Sequence, residues 1–149
     1  MTQVYISIGS NINAEENITL VKSKLKKLFA CSFSDVFHSN AIGFKGKDFL
    51  NLVVGFTYES DPYSLNNILK NIEVEMGRDQ DQKGMSDRII DLDIILFGKL
   101  VIQHKDFSIP SKDIKNHLYV LEPLAQLAEK QIHPVFNISF GEMLKEKLR

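Results

Sequence analysis

The sequence predicts an α+β fold in a single domain over residues 1–149, a βαββαβ core followed by a C-terminal helical extension. Three observations carry that reading. The length suits one hydrophobic core and leaves no room for a second catalytic domain. Strand-like and helix-like periodicities follow one another as strand, helix, strand, strand, helix, strand. The composition, 44% hydrophobic and 25% charged with eight Gly and four Pro, is that of a folded chain and not of a disordered or fibrous one.

Val4-Tyr5-Ile6-Ser7-Ile8 is short, rich in strand formers and stopped by Gly9-Ser10-Asn11, which predicts a strand entering a turn. Asn13 and Glu16 have capping-box spacing, and Ile18, Val21, Leu25 and Leu28 then recur at helical spacing, with Lys22, Lys24, Lys26 and Lys27 mostly off that stripe. Residues 33–37 predict a second strand and residues 49–58 (FLNLVVGFTY) a third, with a glycine-bearing loop over 40–48 between them. Asp61-Pro62 sets a capping residue before a proline suited to the first helical position, and Leu65, Ile68, Leu69, Ile72 and Met76 form a stripe that closes at Gly77. A polar stretch over 78–88 is too long and hydrophilic for a simple connection, and residues 89–97 after it predict a buried strand. The last third predicts a turn near Pro110, a helical segment around 118–129 interrupted by Pro123, and a short helix from about Ser139. This order is the split βαβ, or ferredoxin-like, arrangement, with both helices on one face of the sheet and the other face free.

Several function classes are excluded early. Eighteen basic against nineteen acidic residues give a net charge of −1, which argues against a partner recognised through nucleic-acid or membrane electrostatics. The longest apolar run, residues 94–97, is far short of the roughly 20 residues of a membrane span, and no signal peptide is visible, so a cytoplasmic location is expected. Cys31 is the only cysteine, and His38, His104, His117 and His133 are scattered, so a cysteine or histidine metal cluster is not expected. The glycine-lysine string at 43–48 lacks the spacing of a phosphate loop and precedes a strand, not a helix.

The chemistry concentrates in RIIDLDIILF, residues 88–97. Side chains alternate along a strand, so Asp91 and Asp93 project from one face about 6–7 Å apart, with Leu92, Ile94 and Leu96 on the other. Two carboxylates so placed are either a solvent-exposed or neutralised pair or a site for Mg²⁺, which takes one or two carboxylates plus water and phosphate oxygens. Two of only three arginines, Arg78 and Arg88, bracket the polar stretch before this pair. Their planar forks either recognise a polyphosphate or simply pair with the aspartates. Phe49 and Asn51 repeat the i, i+2 pattern with a ring beside an amide, as core and turn chemistry or as a seat for a flat heterocycle.

Taken together, YISIGSN at residues 5–11, DFLN at 48–51, Ile72-Glu73 with Gly77-Arg78, and RIIDLDIILFG at 88–98 resemble the 6-hydroxymethyl-7,8-dihydropterin pyrophosphokinase family of folate biosynthesis, in order and from residue 4 to about 143. The resemblance implies transfer of the β,γ-diphosphate of ATP to the 6-hydroxymethyl oxygen of a reduced pterin, with AMP leaving, by a cytoplasmic monomer. It implies that Asp91 and Asp93 hold two Mg²⁺ ions and, with Arg88, form the catalytic centre. It places Phe49 and Tyr119 on either side of the pterin ring and Asn51 on its edge, with backbone groups near Ser39 and Ile42 completing the pocket. Glu73, Arg78, Arg88 and Ser108 fall on the nucleotide side, where Lys70, Lys112 or Lys115 are candidates to replace cationic contacts that relatives have and this chain lacks, and the loops 40–48 and 78–88 become lids. The chain departs from the family at Gln80 and Met85, where relatives carry an arginine and a tryptophan, and at Asp106, Ser111, Lys112 and His117 on the nucleotide side. Those departures leave two alternatives: transfer of diphosphate or phosphate to a different modified pterin, and a non-catalytic pterin- or nucleotide-binding module.

Overall fold

The computed structural model describes residues 1–40, 46–77, 89–104 and 107–149. Its elements are β1 (Thr2–Ser10), α1 (Ala14–Leu28), β2 (Ser32–Phe33), β3 (Phe37–Ser39), β4 (Phe49–Tyr58), α2 (Pro62–Glu75), β5 (Asp91–Phe97), β6 (Ile102–His104), β7 (Phe107–Ile109), α3 (Asp113–Asn116), α4 (Leu118–Ala128) and α5 (Phe140–Leu148). The main sheet is antiparallel throughout in the order β2-β4-β1-β5, with β3 also on β4. That is the expected split βαβ order, the second strand being shared between β2 and β3.

The division of that strand has a local cause. Ser34 donates its N–H to the Val53 carbonyl at 2.9 Å, and its hydroxyl accepts from the Val53 N–H at 2.9 Å. One buried side chain thus replaces a rung of backbone pairing, and the chain leaves the sheet at Asp35, whose N–H goes to Gln126 Oε1. The expected continuous strand over 33–37 is therefore two short ones. β6 and β7 form a separate hairpin that the apolar pattern did not reveal.

α1 differs from expectation at both ends. Asn13 has φ 43° and its side chain makes no cap, so the capping box is absent; Asn17 Nδ2 bonds the Ile12 carbonyl instead at 2.7 Å. Leu28 is exposed, because Phe29 takes the next place in the stripe and stacks on Phe56 with centroids 4.1 Å apart. α2 follows its sequence: Asp61 accepts from the Ser64 N–H at 2.8 Å, Pro62 opens the helix, and Gly77 follows its end at φ 93°. Leu65, Leu69 and Ile72 of α2 pack with Ile18, Val21 and Leu25 of α1 on Val4, Ile6, Ile8, Leu52, Val54, Leu92 and Ile94.

The opposite face is not free. Tyr5, Val53, Ile95 and Leu96 pack there against Ile114, Val120, Leu121, Leu124, Ala125, Phe140 and Met143 of α3, α4 and α5. A register shift makes this possible: Tyr5 pairs with Leu96 but Ile6 pairs with Ile94, so Ile95 is an extra residue in β5. Leu96, expected opposite the aspartates, is turned onto their face, and Phe97 takes the α1/α2 side. α4 runs unbroken through Pro123, a local penalty offset by the buried row Val120, Leu121, Leu124, Ala125 and Ala128. Ser139 caps α5 by accepting from Glu142 N–H, as its position predicts. Among the described residues, no helix is long and apolar enough to cross a membrane.

Candidate active site

Strand register assembles the site on the sheet face covered by α4. Asp91 lies opposite Gly9, Gly9 opposite Asn51, and Asn51 opposite Phe37, while Asp93 lies opposite Ser7. Cross-strand partners point to the same side, so Asp91, Asp93, Asn51 and Phe49 share one face, and two strand spacings put Asp91 about 10 Å from Asn51. Gly9 is the floor between them: a Cβ there would stand 3.4 Å from Asn51 Oδ1 and 3.8 Å from the Phe49 ring. The amide and the ring therefore converge over a position without a side chain.

Asn51 is held from below. Its Nδ2 donates to Ser39 Oγ at 2.8 Å and to the Phe37 carbonyl at 3.4 Å, which turns Oδ1 over Gly9. Ser39 thus serves through its hydroxyl, not only through the backbone groups that were expected. Tyr119 lies in the first turn of α4, which packs on β3 and β4, and its ring stacks on His117 with centroids 4.7 Å apart. Burial raises the Tyr119 phenol above its ordinary value, helped by Asp113, Asp91 and Asp93, so the ring stands within the field of the acidic pair.

The acidic strand is supported from α2. Within the described residues β5 is a sheet edge, and at Leu92 its outward backbone groups are taken up by two side chains. The Leu92 N–H donates to Glu73 Oε2 at 2.7 Å, and Lys70 Nζ donates to the Leu92 carbonyl at 2.8 Å. Lys70 Nζ also pairs with Glu73 at 3.2 Å and Asp93 Oδ1 at 3.3 Å. Desolvation drives the Asp93 carboxyl up to about 7; Asp91 and Glu73 add to the rise and Lys70 opposes it. The side chain keeps 47% of its surface and lines a concavity beside β5. Desolvation pulls the Lys70 ammonium down, but Asp93, Glu73 and Asp91 outweigh it and hold the group charged.

That concavity is a cleft of about 450 Å³ in which Lys70, Asp93, Phe107, Ser108 and Lys112 meet. Three expected nucleotide-side residues are thereby gathered beside the acidic strand. Glu73 is buried beside them and meets the cleft through Lys70. Ile42, Arg78 and Arg88 lie outside the described residues, as do most of the two expected lids. The donor set fits a hard divalent cation: two carboxylates from one strand face, one of them raised by desolvation and then by its neighbour's charge, a rise that a dication would oppose. Among the described residues no third Asp, Glu, His or Cys joins them, as suits an ion that completes its shell with water and phosphate.

Two buried polar residues at the end of β1, Ser10 and Asn11, brace the surroundings of the site and were not foreseen in that role. The Ser10 hydroxyl donates to the Ile89 carbonyl, and Asn11 Nδ2 donates to the Lys47 carbonyl at 3.0 Å. They tie the end of β1 to the described flanks of segments 78–88 and 41–45. The available signal was polarity: Ser10 and Asn11 are polar residues directly after an apolar strand, which a turn explains equally well.

An acidic strand with an aromatic–amide pair on one side and a lysine-lined cleft on the other suits a transferase that binds two substrates at once. The family matched is more specific. Residues 5–129 match the 7,8-dihydro-6-hydroxymethylpterin-pyrophosphokinase (HPPK) family, and the chain belongs to it. It is 32% identical to the 2-amino-4-hydroxy-6-hydroxymethyldihydropteridine pyrophosphokinase of Haemophilus influenzae, over 98% of this chain and 93% of that protein. Proteins of the same name from Aquifex aeolicus and Bacillus subtilis are 29% and 28% identical, over 98% and 85% of this chain and 92% and 78% of theirs.

Proposed function

We propose that the chain, as one domain over residues 1–149 and as a cytoplasmic monomer, transfers the β,γ-diphosphate of ATP to 6-hydroxymethyl-7,8-dihydropterin in folate biosynthesis. The pterin hydroxymethyl oxygen gives up its proton to solvent and forms a bond to the β-phosphorus, the bond from that phosphorus to the α,β-bridging oxygen breaks, and AMP departs with that oxygen. The observation that carries this reading is the placement of Asp91 and Asp93 on the same sheet face as Asn51 and Phe49 and beside the Lys70–Lys112 cleft.

Each residue has a task in that reaction. Phe49 and Tyr119 grip the pterin ring, and Asn51, oriented by Ser39, bonds its edge and aims the hydroxymethyl group at the acidic strand. Lys70, Ser108 and Lys112 hold ATP in the cleft, with Glu73 steadying Lys70. Asp91 and Asp93 would hold two Mg²⁺ ions, which would supply charge to offset that developing at phosphorus and would lower the pKa of the attacking hydroxyl. By the family resemblance, Arg88 and Arg78 would balance phosphate charge, Ile42 would add a backbone contact to the pterin, and the segments 40–48 and 78–88 would serve as the lids against water, a competing acceptor.

The test is AMP release by the purified protein from ATP and Mg²⁺, with and without 6-hydroxymethyl-7,8-dihydropterin. Pterin-dependent AMP that disappears in Asp91→Asn and Asp93→Asn supports the proposal. AMP formation that survives either substitution, or proceeds without the pterin, refutes it.

A further inference from the structure

Lys70 is tied down more firmly than a phosphate-binding lysine needs to be. Its ammonium is fixed by the Leu92 carbonyl at 2.8 Å and the buried Glu73 carboxylate at 3.2 Å, and from there it reaches Asp93 Oδ1 at 3.3 Å. Swinging away would leave Glu73, 4% exposed, without this partner. The charge is therefore resident at the acidic pair. Resting on the metal reading above, we propose that Lys70 is a built-in counter-cation that keeps free divalent metal off Asp91 and Asp93, so that the ion is accepted only together with a polyphosphate.

A metal ligated by Asp93 at about 2.1 Å has to share that carboxylate with an ammonium already 3.3 Å away, which puts like charges about 5 Å apart. Repulsion of that size outweighs much of what two carboxylates offer a hydrated ion. A nucleotide polyphosphate entering the same cleft brings several negative charges, which offset the ammonium and the metal together. Metal and nucleotide then bind cooperatively, and empty enzyme does not accumulate metal that would have to be displaced.

The measurement is Mn²⁺ affinity by electron paramagnetic resonance titration, without nucleotide and then with a non-hydrolysable ATP analogue. The proteins are wild type, Lys70→Gln, which keeps a donor for the Leu92 carbonyl, Lys70→Met, Lys70→Arg, and Asp93→Asn. The expected result is that Lys70→Gln or Lys70→Met binds Mn²⁺ about tenfold more tightly than wild type without nucleotide, a difference of ~1.4 kcal/mol. Lys70→Arg stays near wild type, and the advantage of the neutral variants vanishes with the analogue. Unchanged or weaker Mn²⁺ binding in folded neutral variants overturns the inference, and so does failure of both to fold, which would make Lys70 a purely structural tether. If Asp93→Asn binds Mn²⁺ as well as wild type in the presence of the analogue, the metal reading itself fails; if it does not, while Lys70→Gln matches wild type without nucleotide, only the role of Lys70 fails.

Discussion

Asn51 carries the pterin half of the account at the scale of one residue. Its amide nitrogen is committed to Ser39 and Phe37, so Oδ1 is presented above Gly9 in a fixed orientation. Asn51→Ala removes an oriented partner from a buried site, so KM for the pterin is expected to rise about 10–100-fold, the equivalent of roughly 1–3 kcal/mol, with little change in KM for ATP. Steady-state kinetics with each substrate varied checks this. Asn51 and Phe49 were legible because strand alternation fixes which residues share a face. The place of Gly9 beneath them and the bond from the Ser39 hydroxyl were not, since they lie in what stands opposite on neighbouring strands, and no single strand's pattern contains that.

Elements differ in how completely they announce themselves. α2 did so fully, because Asp61, Pro62 and Gly77 each solve a local backbone problem with neighbours in sequence. β5 did so only in part. Four successive apolar residues, 94–97, indicate burial on both faces and carry no period, so nothing in them locates the extra residue that turns Leu96 toward α4. The coupling of α2 to β5 through Glu73 was equally hidden, although the residue itself was singled out. Glu73→Ala strips the Leu92 N–H of its acceptor and Lys70 of one counter-charge, and is expected to cost about 2–4 kcal/mol; Glu73→Gln, which keeps an acceptor, should cost less. Urea unfolding measures both.

On the scale of the whole molecule, the C-terminal third closes the sheet and carries Tyr119, and the connection from α4 to α5 is pinned by His133. That ring is 3% exposed, and its Nδ1 accepts from the N–H groups of Val135 and Phe136 at 3.0 and 3.1 Å. Burial lowers its pKa, and protonation would destroy both bonds. A lowered folded-state pKa contributes stability that is complete above the unfolded value of about 6.5 and is lost as pH falls through the folded one. Asp93, raised to about 7, contributes with the opposite sign, gaining stability as pH falls through that value. The informative quantity is therefore the difference in urea midpoint between wild type and His133→Gln, which should shrink from pH 7 to pH 5. This covering layer was the part of the fold least evident from sequence. Tyr5, Ser7 and Gly9 alternate as a half-polar strand face suited to water, and only the apolar faces of α4 and α5, distant in sequence, show that the Tyr5 end of that face is buried.

The central claim is that a diphosphate moves in one piece, from ATP in the Lys70–Lys112 cleft to an acceptor beside Asn51. A single-turnover experiment with enzyme in excess, Mg²⁺, 6-hydroxymethyl-7,8-dihydropterin and ATP labelled at the γ-phosphorus tests it most directly. The account predicts that all transferred label appears on the pterin as a diphosphate with one AMP formed for each, and that Asp91→Asn slows this by about a thousandfold or more. ADP with a pterin monophosphate, or label released as free phosphate or diphosphate at the same rate, would contradict it.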